Sequence, residues 1–113
     1  LAAFSRQKRE SGEIAVTGDG AQTRDFIHVF DVVQANVKAA LSPIRDGAAY
    51  NIGTGRGTSM NEIAGYFSCP IRHTAPRPGE ARNLVLDIAK AKSELAWSPA
   101  ISLEQGMDIY FNS

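Results

Sequence analysis

The sequence holds a single cysteine, Cys69. An internal disulfide needs two cysteines and a multi-cysteine metal site needs more, so neither can staple the chain, and no metal site is expected. Charge of either sign is not in excess: 12 Lys and Arg stand against 12 Asp and Glu, for a net charge of zero. Such a chain lacks the electrostatic footprint of a protein that binds nucleic acid or an anionic membrane surface non-specifically. Long hydrophobic runs are missing too. The longest, residues 1–4, falls far short of the roughly 20 apolar residues a membrane span requires. No signal-peptide pattern opens the chain, and a reducing, cytoplasmic setting is the expectation. Internal repeats and low-complexity tracts are absent.

What is present is ordinary globular composition. At 43% hydrophobic and 21% charged residues, the 113-residue chain has enough apolar matter for a core and too little charge for disorder. The length suits one domain, residues 1–113. The chain opens at Leu1, not Met, inside a stretch of helix formers, and the expectation is a piece of something longer.

The punctuation marks out short elements. Residues 1–9 read as a helix ending at Ser11-Gly12. Residues 13–17 read as a strand, Gly18-Asp19-Gly20 as a turn, and residues 24–29 as a second strand, with His28 a packing histidine in its middle. Asp31 is expected to cap the next helix, whose Val33, Val37, Ala40 and Leu41 share one face. Residues 48–52 read as a strand. Ser59-Met60-Asn61-Glu62 has the S-x-x-E form of a capping box and opens a short helix to about Phe67. Residues 71–74 and 84–86 suit strands. Asp87 is expected to cap a helix through Leu95, Trp97 to lie in the core, and Ser102 with Gln105 to cap the last helix. The sum is an α/β chain of short strands and about five helices.

Arginine is distributed unevenly. Arg24, Arg56, Arg77 and Arg82 fall at strand ends or in Gly/Pro loops, where a planar guanidinium fork suits phosphate. Lys38, Lys90 and Lys92 fall on helices and are expected to face water. Gly53-Thr54-Gly55-Arg56-Gly57-Thr58 follows an apparent strand and precedes a helix, as a G-x-G-x-x-G dinucleotide loop would. Its last position is Thr and no acidic partner follows on a second strand, so it reads as a tight connection.

Several segments then agree on one family. Residues 18–32, Gly-Asp-Gly-Ala-Gln-Thr-Arg-Asp-Phe-Ile-His-Val-Phe-Asp-Val, resemble the G-D-G-x-Q-x-R-D-F-x-x-V-x-D-V segment of extended short-chain dehydrogenase/reductases, the nucleotide-sugar epimerases and dehydratases. Tyr50-Asn51-Ile52-Gly53-Thr54-Gly55 is similar to the family's Y-N-I-G-x-G loop. Arg77-Pro78-Gly79-Glu80 resembles its R-x-G-[DE] motif. Residues 87–91 with Leu95-Ala96-Trp97-Ser98-Pro99 resemble its D-x-x-K-A…L-G-W-x-P ending, with Ala96 where Gly is common. The motifs run in family order over nearly the whole chain. They match only the family's carboxyl-terminal, substrate-binding part. The Rossmann half, with its glycine loop and Tyr-x-x-x-Lys pair, has no counterpart: Tyr50, Tyr66 and Tyr110 are not followed at the fourth position by Lys.

The resemblance implies roles residue by residue. Arg24 and Arg77 match arginines that contact a nucleotide diphosphate. Glu80 matches a carboxylate that accepts from ribose hydroxyls, with a salt bridge to Arg82 or Arg77 as its plain structural alternative. Thr17 stands where an aromatic residue often supports the base. Asp25 is expected to pair with an arginine. No catalytic and no cofactor-binding residue is assigned: the parent enzyme would hold NAD outside this chain. The implied partners are a nucleoside-diphosphate sugar and the missing Rossmann half. The implied activity of the parent is 4-epimerisation of the sugar, as in UDP-glucose 4-epimerases, with a 4,6-dehydratase or decarboxylase as the alternative and the chain alone catalytically incompetent. A reading from another class is a non-catalytic module that self-associates through the apolar surface a missing half would leave exposed.

Overall fold

A computed structural model describes residues 1–44 and 46–113. Its backbone contacts divide the chain into two compact units, one of residues 1–24 with 57–84 and the other of residues 25–56 with 85–113.

The first unit opens with α1 (Ala2–Ser11), which ends where Gly12 takes φ 76° and donates its N–H to Lys8 O. A left-handed closing residue of this kind favours glycine. Strand β1 (Ile14–Thr17) follows, then the Gly18–Gly20 turn and the two-residue β2 (Thr23–Arg24). Next come β3 (Thr58–Ser59), α3 (Met60–Gly65), β4 (Ile71–Thr74) and β5 (Asn83–Leu84). β1 and β4 pair in parallel from Ile14↔Ile71 to Thr17↔Thr74. β2 lies between β3, antiparallel, and β5, parallel. The β1–β4 pair carries its apolar side into a core of Phe4, Ile14, Val16, Ile63, Ala64 and Phe67. Phe4 and Phe67 meet edge to face at 5.8 Å, an arrangement that puts a positive ring edge on a negative ring face.

The second unit holds α2 (Val29–Leu41), α4 (Ala89–Leu95) and α5 (Leu103–Phe111). Its core gathers Ala35, Ile88, Ala91, Leu95 and Trp97, with Ile27, Tyr50 and Ile52 against it. Trp97 is 1% exposed and donates its indole N–H to Asp31 O at 3.0 Å. α4 closes on Ala96 at φ 52°, the positive φ that the family's common glycine would adopt without strain. Ser102 and Gln105 form the full reciprocal capping box.

The fold corrects several expectations. The strand expected over residues 24–29 is confined to Thr23–Arg24, and residues 48–52 form no strand. His28 is not mid-strand: its Nδ1 accepts from Phe30 N and caps α2. Asp31 therefore lies inside the first turn. It is buried because its carboxylate accepts the N–H groups of Ala100 and Ile101, both at 3.0 Å, a tertiary contact that outweighs a local cap. α2 buries Asp31 and Ala35, while Val33, Val37, Ala40 and Leu41 form an exposed face. Lys38 and Lys90 do more than face water, donating to Ala96 O and Ala49 O.

Candidate functional site

Parallel pairing of β1 and β4 brings their carboxyl ends side by side, so the loops that leave them border one cleft. In α/β folds ligands sit at this end of the strands. The cleft lies wholly within the first unit, has a volume of about 390 Å³, and is lined by Thr17, Gly18, Asp19 and Gln22 from the β1 side and by Thr74, Pro76, Arg77, Glu80 and Arg82 from the β4 side. Gly18, Gly20 and Gly79 all take positive φ, which lets the two loops turn sharply at its rim.

Glu80 is the hub. Its Oε1 accepts from Gln22 Nε2 at 3.4 Å and from Arg24 Nη2 at 3.3 Å, and its Oε2 accepts from Thr17 Oγ1 at 3.3 Å. The side chains of Arg24 and Glu80 are 25% and 26% exposed, so the pair is neither dry nor freely solvated. Arg24 is further tied by Nη1 to Thr23 O at 2.7 Å. Gln22 is buried, 6% exposed, and also donates to Thr17 O at 3.1 Å. Arg77 is exposed and, among the described residues, its guanidinium has no hydrogen-bond or ion-pair partner. Asp19 and Arg82 pair through two parallel bonds of 2.8 and 3.0 Å. The Arg82 hydrogen bond, with the Ala21 N–H, lowers the Asp19 carboxyl to about 2. Asn61 ties the same turn from behind: its Nδ2 donates to Asp19 O, and its Oδ1 accepts from His73 Nε2 in the imidazole tautomer that carries the proton there.

The four residues singled out from the sequence thus meet: Thr17, Arg77 and Glu80 line the cleft, and Arg24 reaches Glu80 from β2. Glu80 does form a salt bridge, but with Arg24 and not with Arg82 or Arg77; Arg82 is engaged by Asp19. Of the other loop arginines, Arg56 pairs with Glu104 in the second unit, at 3.8 Å. Gln22 was not singled out by the sequence. The available signal was an amide placed between a glycine turn and a strand, where its side chain can reach back to the preceding strand end.

The glycine loop has a different employment from the one its spelling suggests. Among the described residues, Asp25 pairs with no arginine. Its Oδ1 accepts from Thr54 N at 2.8 Å and Thr54 Oγ1 at 2.6 Å, and its Oδ2 from Gly55 N at 2.9 Å and Leu86 N at 3.4 Å. Partial burial pushes the Asp25 carboxyl up, but the hydrogen bonds from Thr54, Gly55 and Leu86 outweigh it, and the group sits below its ordinary range. A Cβ on Gly53 would meet Asp25 Oδ2 at 2.7 Å, so glycine there permits the close approach. A dinucleotide loop must offer such N–H groups to phosphate. Here the chain's own carboxylate takes them, and these residues do not fit an NAD cradle.

Comparison with known proteins agrees with this geography. The model of the NAD dependent epimerase/dehydratase family matches residues 1–53. The UDP-glucose 4-epimerase of Mycolicibacterium smegmatis is 36% identical over 113 residues, covering 95% of this chain and 36% of that protein. The dTDP-L-rhamnose 4-epimerase of Burkholderia thailandensis is 33% identical, covering 95% of this chain and 31% of that one. Among solved structures, the UDP-glucose 4-epimerase of Thermotoga maritima with UDP-glucose is 36% identical with a TM-score of 0.85, covering 98% of this chain and 38% of that one. The UDP-glucuronic acid 4-epimerase of Bacillus cereus, in complex with UDP-glucuronic acid and NAD, is 29% identical with a TM-score of 0.85, covering 97% of this chain and 38% of that one. The chain therefore spans about a third of the length of the relatives it matches, in their carboxyl-terminal region. Motif order, fold and relatives lead to one conclusion: the chain belongs to the NAD dependent epimerase/dehydratase family, the extended short-chain dehydrogenase/reductases.

Proposed function

We propose that residues 1–113 act as the nucleotide-sugar-binding part of a 4-epimerase. One observation carries the reading: an arginine, a carboxylate and a hydroxyl from distant sequence positions line one strand-end cleft, and a second arginine, Arg24, pairs with that carboxylate. Arg77 is a solvent-facing cation for a diphosphate, Arg24 is a second cation held by Glu80, and Glu80 is an acceptor-only group suited to a ribose diol. Thr17 borders the same space where the base would lie. The cleft's size suits a nucleotide. In the parent enzyme NAD would oxidise the sugar and return the hydride. This domain would contribute remote binding energy and orientation to that chemistry.

Calorimetry with UDP tests the reading. Arg77→Ala should weaken binding about tenfold or more, the size of a lost charge-assisted hydrogen bond. Arg24→Ala should cost less, because Arg24 gives up Glu80 to meet a phosphate. Unchanged affinity in both variants would remove them from the site. The chain alone is proposed to be catalytically incompetent, since it has no Tyr-x-x-x-Lys pair; NAD-dependent turnover of a UDP-sugar by the purified chain would sink that proposal. A second reading rests on α2. Val29, Val33, Val37 and Leu41, spaced four residues apart, are 62%, 45%, 46% and 81% exposed. Such a stripe favours burial against another surface, the Rossmann half or a second copy of the chain. Sedimentation should show reversible self-association that Val33→Ser with Val37→Ser abolishes; a clean monomer at all concentrations would exclude the copy.

A further inference from the structure

Glu80 and Arg24, both assigned to ligand binding, neutralise one another in the structure. Their contact is a single bond of 3.3 Å, long for a charge-assisted pair and not a bidentate fork. By contrast Asp19 and Arg82, at the same rim, lock through two bonds of 2.8 and 3.0 Å. Glu80 also has two neutral anchors, Gln22 Nε2 and Thr17 Oγ1, that do not depend on Arg24. Gln22 is itself fixed by its bond to Thr17 O and by burial. The two neutral anchors, at 3.4 and 3.3 Å, are no shorter than the ion pair, but they are independent of it, so losing the ion pair leaves the carboxylate held in place.

We propose that Glu80 is a built-in competitor for Arg24, and that an arriving diphosphate exchanges with it. This rests on the reading of the cleft as a nucleotide-sugar site. Before binding, Arg24 is held by Glu80 and by Thr23 O. A diphosphate first meets Arg77, the guanidinium without a partner among the described residues. It then draws Nη2 of Arg24 away from Glu80 Oε1. Gln22 and Thr17 keep Glu80 where it stands, now with an acceptor position open for a hydroxyl of the ribose. The exchange makes the two halves of recognition cooperative. A ligand lacking the phosphates leaves Glu80 engaged by Arg24, and a ligand lacking the diol leaves Glu80 still competing for Arg24. Selection for a nucleoside diphosphate, over inorganic phosphate or a free nucleoside, follows from one carboxylate.

The test is a double-mutant cycle on the whole chain, read by calorimetry with inorganic pyrophosphate, which has the phosphates and no diol. Glu80→Gln removes the competitor. It should raise pyrophosphate affinity about fivefold, the size expected when an ion pair about a quarter exposed no longer opposes binding. In an Arg24→Gln background the same substitution should give no gain. A gain that persists there would mean general relief of negative charge, and would overturn the exchange, as would no gain in either background. Wild-type affinity for UDP is measured alongside. If UDP binds and the cycle shows no coupling, the exchange alone fails; if neither UDP nor pyrophosphate binds, the site reading fails with it. Thermal melts check that each variant folds. A measurement on the unaltered chain guards against failure to fold: the Arg24 side-chain N–H resonance should move on adding pyrophosphate, and a stationary resonance with binding intact would overturn the proposal.

Discussion

Asp25→Ala removes one carboxylate and leaves the glycine loop without its organiser. Four donors converge on that group: Thr54 N, Thr54 Oγ1 and Gly55 N at 2.8, 2.6 and 2.9 Å, and Leu86 N at a weaker 3.4 Å. A hydrogen bond to a charged group contributes about 1.5–3 kcal/mol net, and the bonds of one cluster do not add. The Thr54 hydroxyl can turn to water, and the site is only partly buried, so two backbone N–H groups carry most of the loss. The expected cost is about 3 kcal/mol. With a urea slope of about 1–3 kcal/mol/M for a small protein, the unfolding midpoint should fall by roughly 1–3 M. Asp25→Asn refines the test. An amide keeps one acceptor for Thr54 but turns N–H toward Gly55 N–H, so about half to two-thirds of the loss should remain. The charge adds a pH signature. Because the folded-state pKa lies below its ordinary value of 3.8, the stabilisation is fully present above that value and is lost as pH falls through the folded pKa. The Asn variant should lack this part of the acid limb. A midpoint shift below about 0.3 M for Asp25→Ala, or an acid limb unchanged in Asp25→Asn, would refute the idea that the carboxylate stands in for a bound anion.

Asp31→Ala should be comparably harmful, about 3 kcal/mol by chemical denaturation, since it removes a buried carboxylate that the part-buried N–H groups of Ala100 and Ile101 share. Ala96→Gly should stabilise by up to about 1 kcal/mol, because φ 52° costs a residue with a Cβ more than the flexibility of glycine does; calorimetric melting should show a higher Tm. The Asp19–Arg82 pair, with the Asp19 carboxyl lowered to about 2, contributes stability that is complete above pH 3.8 and lost as pH falls through about 2. An NMR titration of the Asp19 carboxyl should give that low midpoint in the wild type and a higher one in Arg82→Gln, where the Ala21 N–H still favours the charged form.

The elements were legible where a local rule decides them. Gly12 after a run of helix formers, Ser59 before α3 and the Ser102/Gln105 box each act within a few residues, and each ends or begins a helix as its chemistry requires. His28 and Asp31 show the limit. Both can cap a helix, and local spacing favours Asp31. The choice falls to His28 because Asp31 is wanted by Ala100 and Ile101, nearly 70 residues on, where no local rule reaches. The same holds for α2: a spacing of four residues tells which side chains share a face, but not whether anything covers it. At the site, residue types and order pointed to Thr17, Arg24, Arg77 and Glu80. The buried amide of Gln22 and the bidentate Asp19–Arg82 pair emerge only when β1 lies beside β4.

The sequence by itself determined the family, the α/β character, most helix ends and the chemical types gathered at the candidate cleft. Those depend on residue identity and on contacts a few positions long. The tertiary structure decided the pairings: which carboxylate meets which arginine, which carboxylate fills the glycine loop, and which apolar face stays open. Net charge zero is compatible with many arrangements of the same acids and bases. Only the parallel register of β1 and β4, fixed by burial of Ile14, Val16 and the residues packed on them, sets Thr17 and Glu80 within hydrogen-bond reach across a gap of 63 residues.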